Sequence, residues 1–242
     1  MVCNAAEDRV QLLLGRRGSI VCLREAQGSG RTVQALPQAM AACFQEAGIK
    51  ASQLDGLAYV RGPGTFTGLR VSIALAVGLA RGGNIPLAGL EYLPLIAASL
   101  PPDPAEVWVC TYARKGLVYV QGFAARRTPL SSLVVASLEN AADMLERRTE
   151  PLSLVGSGVS AWKDFWQQRL PEARILEECW NHPHPTQLLQ AARQAAYAHD
   201  PPPPLYLRPA DAEVNIPQLA AGRGISQEDF TKRIPDFLRM SS

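Results

Sequence analysis

Apolar and polar residues along the chain predict strands and helices in a repeated order. Residues 9–25 predict a β-hairpin, because apolar residues alternate before a glycine-bounded turn at 15–18 and return after it. Residues 1–4 predict a short strand beside that hairpin. Apolar residues at helical spacing predict a helix over 32–47, and Gly48 is a natural C-terminal stop for it.

The later periodic segments complete this order and then repeat it. In the first half, strands are predicted at 54–60 and 85–90, and helices at 69–80 and 92–100. In the second half, strands are predicted at 107–111, 117–120, 152–155 and 174–176, and helices at 138–147, 161–169 and 186–198. A proline-rich stretch at 101–104 separates the two halves.

Hairpin strands mixed with α/β crossovers indicate an α/β fold with mixed sheets covered by helices. The duplicated βββαβαβα order is typical of the two-lobed actin/Hsp70/hexokinase-like (ASKHA) fold. We expect an N-terminal lobe over residues 1–100 and a C-terminal lobe over 105–200. A C-terminal segment over 205–242 is expected to pack back on the first lobe.

Composition narrows the class of protein. Of the 242 residues, 47% are hydrophobic and 19% are charged, so the chain can build a sizeable core. The net charge of +2 and the scattered basic pairs form no basic stripe of the kind that dedicated nucleic-acid binders carry. The five cysteines lack zinc-type spacing and predict free, buried thiols in a reducing compartment. Because no signal-peptide pattern and no apolar run of about 18 residues is present, we expect a cytoplasmic protein without a membrane span.

A glycine-rich stretch follows the predicted strand at 54–60 and opens the helix at 69–80. Strand, glycine loop and helix together form an arrangement that binds phosphate on helix N–H groups. The stretch lacks the lysine of a Walker loop and the G-x-G-x-x-G spacing, so its phosphate signal is weak. Thr65 and Thr67 are candidates to cap the helix, and Arg70 either pairs on the surface or positions the loop. The candidate residues for an anion or partner contact are Gly62, Pro63, Gly64, Thr65, Phe66, Thr67, Gly68 and Arg70.

The predicted helix at 69–80 is apolar nearly all round, which indicates burial on more than one side. Ser72, Ala76 and Ala80 recur every four positions and form a strip that another helix can approach closely. Two interpretations stay open: a central helix covered by its own domain, and an interface with another subunit. The candidate interface residues are Ser72, Ile73, Ala76, Val77 and Ala80, with Leu36 and Met40 from the helix at 32–47.

Few residues suggest catalysis or metal binding. His182 and His184 lie in a proline-rich connection, where surface positions are a simpler interpretation than a metal site. Ser157 lies between two glycines and fits the start of a helix better than a nucleophile elbow. We therefore expect no catalytic residue, no metal and no cofactor.

Four segments in chain order resemble the TsaB (YeaZ) family, and the resemblance covers roughly residues 1–213. The most specific is R-G-P-G-T-F-T-G-L-R at 61–70. The supporting segments are Q-A-L-P at 34–37, A-R-K-G-L-V-Y at 113–119 and P-L-Y-L-R at 204–208.

This resemblance implies a two-lobed fold and a role without catalysis of its own. TsaB proteins partner TsaD, which transfers a threonylcarbamoyl group to N6 of adenosine 37 in tRNAs that read codons starting with A. TsaE belongs to the larger complex, and TsaB proteins also form homodimers through the first lobe. The implied function is a scaffold or activator of TsaD that meets tRNA through the complex, without peptidase or other hydrolase activity.

The chain departs from the family pattern at several positions. Cys3 and Asn4 stand where the first strand usually ends in Asp-Thr or Asp-Ser, and Arg31 stands for a usual His. Tyr112 and Leu117 stand for an Asp and a Glu in the second hairpin. These losses argue against nucleotide hydrolysis. Two alternatives are an enzyme that uses the glycine loop for phospho- or carbamoyl transfer, and a homodimer that has lost its partner role.

Overall fold

The structure is a computed structural model that describes residues 1–27, 32–102, 105–125 and 127–207, without the side chains of 32–35. Met1–Leu205 form one compact unit that contains both sheets, and Tyr206–Ser242 form a second, of which only Tyr206 and Leu207 are described. The expectations for Arg31, for 103–104 in the proline-rich stretch and for the C-terminal segment beyond Leu207 lie outside the described residues.

The chain forms its strands and helices in two similar series. The first series is β1 (Val2–Asn4), β2 (Arg9–Arg16), β3 (Ser19–Gln27), α1 (Thr32–Ala47), β4 (Leu57–Gly62), α2 (Phe66–Gly83), β5 (Leu87–Glu91) and α3 (Tyr92–Ser99). The second series is β6 (Glu106–Arg114), β7 (Leu117–Phe123), β8 (Val134–Ser137), α4 (Leu138–Glu146), β9 (Leu152–Val155), α5 (Ser157–Ala161), α6 (Lys163–Arg169), β10 (Arg174–Ile175) and α7 (Pro185–Gln194).

Each series builds one mixed five-stranded sheet with the same strand order. The first sheet has the order β3-β2-β1-β4-β5, and the second has the matching order β8-β7-β6-β9-β10. In both sheets the first three strands are antiparallel, and the last two continue in parallel with the central strand. This duplication confirms the predicted ASKHA fold, because hairpins followed by crossover helices produce this order twice.

Local chemistry sets several helix ends. Ser137 caps α4, because its side chain accepts a hydrogen bond from the Asn140 N–H at 3.2 Å. His184 caps α7 through the Thr186 N–H, and Pro185 occupies the first helical position. Asn84 ends α2 in the left-handed region with φ of 51°.

Three element predictions were wrong in detail. Strand β8 lies directly before α4 and was not predicted, because its short run of half-exposed residues lacks alternation. The helix predicted at 161–169 is broken at Trp162, which has φ of −131° and ψ of 44°. Helix α7 ends at Gln194 rather than at residue 198, because Ala198 instead bridges to Leu87 in the first sheet.

The second half of the chain returns to the first sheet from about residue 181 onward. The Gln11 side-chain amide donates to the Pro183 carbonyl at 2.9 Å, and the Tyr59 hydroxyl donates to the Pro202 carbonyl at 2.5 Å. The Leu205 N–H donates to the Arg61 carbonyl at 2.8 Å. The predicted lobe boundaries, at 100–105 and 200–205, stay a prediction.

Cys22 on β3 and Cys43 on α1 form a disulfide, with their Cα atoms 5.7 Å apart. This corrects the expectation that all cysteines are free thiols. Cys3 and Cys110 are free and buried, and burial raises the pKa of each thiol to about 12. In the part of the chain that the structure describes, no helix is long and apolar enough to cross a membrane.

Candidate functional site

The glycine loop packs against the turn that joins β1 to β2. The Thr65 N–H donates to the Ala6 carbonyl at 2.6 Å. A Cβ atom on Gly64 would lie 2.2 Å from the Ala6 oxygen, and one on Gly68 would lie 2.0 Å from the Ala5 oxygen. The loop is therefore glycine-rich because backbone approaches backbone here. Carbonyl oxygens fill the space beside Gly64 and Gly68, and they repel an anion.

The remaining loop residues take structural roles. Gly62 has φ of 130° and begins the cis bond to Pro63. Thr65 occupies the N-cap position of α2, but its side chain makes no capping hydrogen bond, which corrects that prediction. Thr67 lies inside α2 and is exposed, so it is not a cap either. The Arg70 guanidinium lies 3.6 Å from the centroid of the Phe66 ring, a cation–π contact on the first turns of α2.

A polar cluster, which we call the intersheet cluster, joins the two sheets beside this loop. It consists of Glu7, Tyr92, Ser157 and His182. The Ser157 hydroxyl at the start of α5 donates to Glu7 Oε1, and the Tyr92 hydroxyl donates to Glu7 Oε2 at 3.1 Å. The Tyr92 oxygen also lies 3.1 Å from His182 Nδ1. One carboxyl group therefore connects the β1–β2 turn to both halves of the chain.

Burial controls protonation in the intersheet cluster. Burial raises the pKa of the Glu7 carboxyl to about 7, although hydrogen bonds from Ser157 and Tyr92 oppose the rise. Burial lowers the pKa of His182, whose Nδ1 lies 3.8 Å from Glu7 Oε2. Near neutral pH the cluster can therefore hold a neutral Glu7 beside a neutral imidazole.

Sequence reasoning missed Glu7, Tyr92 and His182 as a site. His182 is partly buried and bonded, which corrects its assignment to the surface. The available sequence signal was an acidic residue, Glu7, shortly after the apolar first strand. Ser157 begins a helix, as predicted.

Two of the positions that depart from the family pattern, Asn4 and Tyr112, have ordinary structural partners. The Asn4 side chain is buried, donates to Gln11 at 2.8 Å and accepts from the Ala6 N–H at 3.1 Å. Tyr112 is exposed and stacks on Trp162 with centroids 5.2 Å apart, and its N–H donates to Ser157. Among the described residues, no group of three or more His, Cys, Asp or Glu side chains is arranged to hold a metal ion.

Helix α2 forms the second part of the candidate site. Ser72, Ala76 and Ala80 are buried in this chain's own core. The Ser72 hydroxyl donates to the Leu69 carbonyl. Leu36 and Met40 of α1 are buried in the core as well. These five residues are not accessible to a partner, which corrects their assignment as interface residues. The reason is that small side chains let α2 lie close to its own sheet.

The opposite side of α2, which we call its outer face, is apolar, and the described residues leave it uncovered. Ala74 and Gly78 are exposed on it, flanked by half-buried aliphatic residues. Between Arg70 and Arg81 the only polar residue is Ser72, which is buried. The flanking residues are Val71, Ile73, Leu75, Val77 and Leu79.

The chain has two mixed sheets of the same strand order, and a glycine loop lies beside the cluster that joins them. These features define a two-lobed protein of the ASKHA class. The family model described as TsaD, tRNA N6-adenosine threonylcarbamoyltransferase, matches residues 29–216. That match spans more than half of the chain, so the chain belongs to this family.

Relatives agree with that assignment and confirm the resemblance to TsaB (YeaZ) proteins, and a solved structure agrees in fold. The tRNA threonylcarbamoyladenosine biosynthesis protein TsaB of Escherichia coli strain K12 is 28% identical over 66% of this chain and 74% of its own length. The protein of the same name from Bacillus subtilis strain 168 is 27% identical over 75% of this chain and 81% of its own length. The fold matches YeaZ from Pseudomonas aeruginosa with a TM-score of 0.67 and 22% identity, over 85% of this chain and 98% of that one.

Proposed function

We propose that this chain is a non-catalytic subunit that activates a TsaD-type transferase. In this proposal it is required with TsaD and TsaE for threonylcarbamoyl transfer to N6 of adenosine 37 in tRNAs that read codons starting with A. The chain acts in the cytoplasm and meets tRNA through the complex. The observation that carries the proposal is the apolar outer face of α2, which no described segment covers.

The outer face has the composition of a surface that binds another protein. A contiguous exposed apolar patch on a folded chain indicates an interaction site. Ala74 and Gly78 place almost no side chain on the middle of the face, so a second helix can approach the backbone closely. Val71, Leu75 and Val77 border this shallow centre and supply apolar area to bury. TsaD is the proposed occupant, and a second copy of this chain is an alternative occupant of the same face.

A role without catalysis is supported by the geometry of the glycine loop. The Thr65 N–H, which a phosphate would need, already donates to the Ala6 carbonyl. The Glu7 carboxyl in the neighbouring turn accepts from two hydroxyl groups and is favoured in its neutral form by burial. We infer that the chain supports the active arrangement of TsaD rather than transferring a group itself.

The interface is tested by the substitution Ala74→Arg. Ala74 is exposed, so the variant is expected to fold, whereas a guanidinium at the centre of the outer face blocks close approach of a partner. We expect co-purification with TsaD to fall at least tenfold. The matched control is Ala161→Arg, which adds the same side chain to an exposed helical position next to the second sheet. Equal recovery of TsaD with both variants would contradict the proposed interface.

The function is tested by reconstituting tRNA modification with and without this chain. We expect threonylcarbamoyladenosine to form only when the chain accompanies TsaD and TsaE, and we expect the Ala74→Arg variant not to support its formation. Calorimetric titration of the isolated chain with magnesium-ATP examines the enzyme alternative. Turnover by the isolated chain would favour that alternative over a scaffold.

A further inference from the structure

A second concave region lies at the opposite end of the first sheet from the glycine loop. It is a cleft of about 880 Å³ between the β2–β3 turn, the end of α1, the segment before β4, and α7. Its lining is mixed. The apolar part, which we call the floor, consists of Leu14, Ala47, Ile49, Leu54 and Leu189, and arginines and carboxylates supply much of the rest. A cavity volume of this size lies within the range of sites that hold small molecules.

Side chains of α7 and of the residues after it pack against three glycines in and beside the first sheet. A Cβ atom on Gly15 would lie 2.3 Å from Leu189 Cδ1, and one on Gly56 would lie 2.6 Å from Tyr197 Cε1. Arg193 Nη1 would lie 3.0 Å from a Cβ atom on Gly18. Bare backbone at these glycines therefore lets α7 close one wall of the cleft and brings Arg193 to the β2–β3 turn.

The cleft gathers more cationic groups than anionic ones. Arg16, Arg17 and Arg193 line it, all three are exposed, and none forms an ion pair with a described residue. The carboxylates in the lining are Glu46, which pairs with Arg24, and Asp55. Within the described part of the chain, three guanidinium groups without an ion pair thus face Asp55, which interacts with the Met1 ammonium. By contrast, other arginines of the chain do bind carboxylates: Arg9, Arg24, Arg61, Arg148 and Arg169.

We propose that this cleft binds a small amphipathic anion, with an apolar body on the floor and a phosphate or carboxylate at the arginines. Guanidinium groups bind phosphate and carboxylate oxygens in pairs through parallel N–H donors. Covering the apolar floor removes it from water, which favours binding, and an anionic head is attracted by the three arginines. The cleft is separate from the outer face of α2, so this site does not depend on the proposed function.

The test uses the full chain and two probes of equal length, octyl phosphate and octanol, titrated while NMR chemical shifts are followed. We expect octyl phosphate to bind at least tenfold more tightly than octanol. Arg193→Gln is expected to weaken octyl phosphate binding at least tenfold. The matched control Arg147→Gln removes an exposed arginine after α4 and is expected to leave binding unchanged.

Further arms of the experiment keep the proposal open to refutation. The double variant Arg16→Gln/Arg17→Gln changes the turn instead of α7, so a folding defect in one variant does not decide the outcome. Equal binding of octyl phosphate and octanol, no binding of either, or unchanged binding after both substitutions overturns the proposal. An RNA stem-loop that binds through the same arginines and is not displaced by octyl phosphate also overturns it, in favour of a polyanion surface.

Discussion

Gly64 and Gly78 are only fourteen positions apart, yet the structure gives them opposite surroundings. A Cβ atom on Gly64 would lie 2.2 Å from a backbone oxygen, whereas one on Gly78 would meet nothing within 4 Å. Gly64 is therefore required by close packing inside the chain. Gly78 lies in the middle of an exposed helical face, where glycine lowers helix stability.

Gly78→Ala is expected to raise the free energy of unfolding of the isolated chain by about 0.5–1 kcal/mol, because alanine is the better helix former. The same methyl group covers the shallow centre of the outer face, so we expect weaker binding to TsaD. Urea unfolding and a binding titration measure the two effects separately. A gain in stability without any loss of binding would indicate that the partner does not contact Gly78.

Gly64→Ala is expected to lower the free energy of unfolding by about 1–3 kcal/mol, the usual cost of forcing atoms into a filled site. The clash between the new Cβ atom and the Ala6 oxygen can be relieved only if the glycine loop moves away from the β1–β2 turn. Thermal unfolding monitored by circular dichroism measures the loss. A thermal midpoint equal to that of the unsubstituted chain would show that the loop is free to shift.

At the scale of elements, β3 and α1 are joined covalently. The Cys22–Cys43 bond closes a loop with a sequence separation of 21 residues. Because α1 contributes Leu36, Met40 and Cys43 to the same core as α2, this bond holds the helix layer of the first sheet in place.

Reduction of this disulfide is expected to lower the free energy of unfolding by about 3 kcal/mol, the chain-entropy value for a loop of this length. Thermal unfolding with and without a phosphine reductant measures the change. The double variant Cys22→Ala/Cys43→Ala is expected to be insensitive to the reductant. Cys179→Ser, which removes an exposed free thiol, serves as the control that keeps full sensitivity.

Across the whole molecule, the intersheet cluster couples folding to pH through Glu7. Burial raises the pKa of Glu7 to about 7, above its ordinary value of 4.5, so the folded state binds more protons than the unfolded state in that window. The contribution of this carboxyl to the free energy of unfolding is therefore complete below about pH 4.5 and is lost as the pH rises through 7. Asp8, Tyr92 and His182 lie around it, so the pH dependence must be isolated by substitution.

Glu7→Gln keeps the shape of the side chain and removes its titration. The stability of the unsubstituted chain relative to this variant is expected to fall by about 3 kcal/mol between pH 4.5 and pH 8. Urea unfolding at a series of pH values measures the difference, and the titration of His182 largely cancels between the two proteins. Parallel stability profiles would mean that Glu7 is charged in the folded chain throughout this range.

Much of the architecture follows from the sequence, because local patterns encode local structure. Alternation in the hairpins and helical spacing between glycine and proline residues predict the order of strands and helices. That order indicates the duplicated fold, and the two matching sheets of the structure confirm it. The stretch at 61–70 likewise identifies the family. A periodic pattern shows that α2 has little polar surface, but it does not say which face turns inward.

Contacts between residues that lie far apart in the chain depend on the tertiary structure. Ser157 reaches Glu7 across 150 positions, and Leu205 pairs with Arg61. Cys22 meets Cys43 only because α1 packs over β3. Local periodicity carries no information about such pairings, since they depend on how the two sheets and their helices pack. Most elements, the duplicated fold and the family can therefore be read from the sequence. Three facts are visible only in the structure. Ser72, Ala76 and Ala80 are buried, the described residues leave the opposite face of α2 uncovered, and Glu7 lies where both halves of the chain meet.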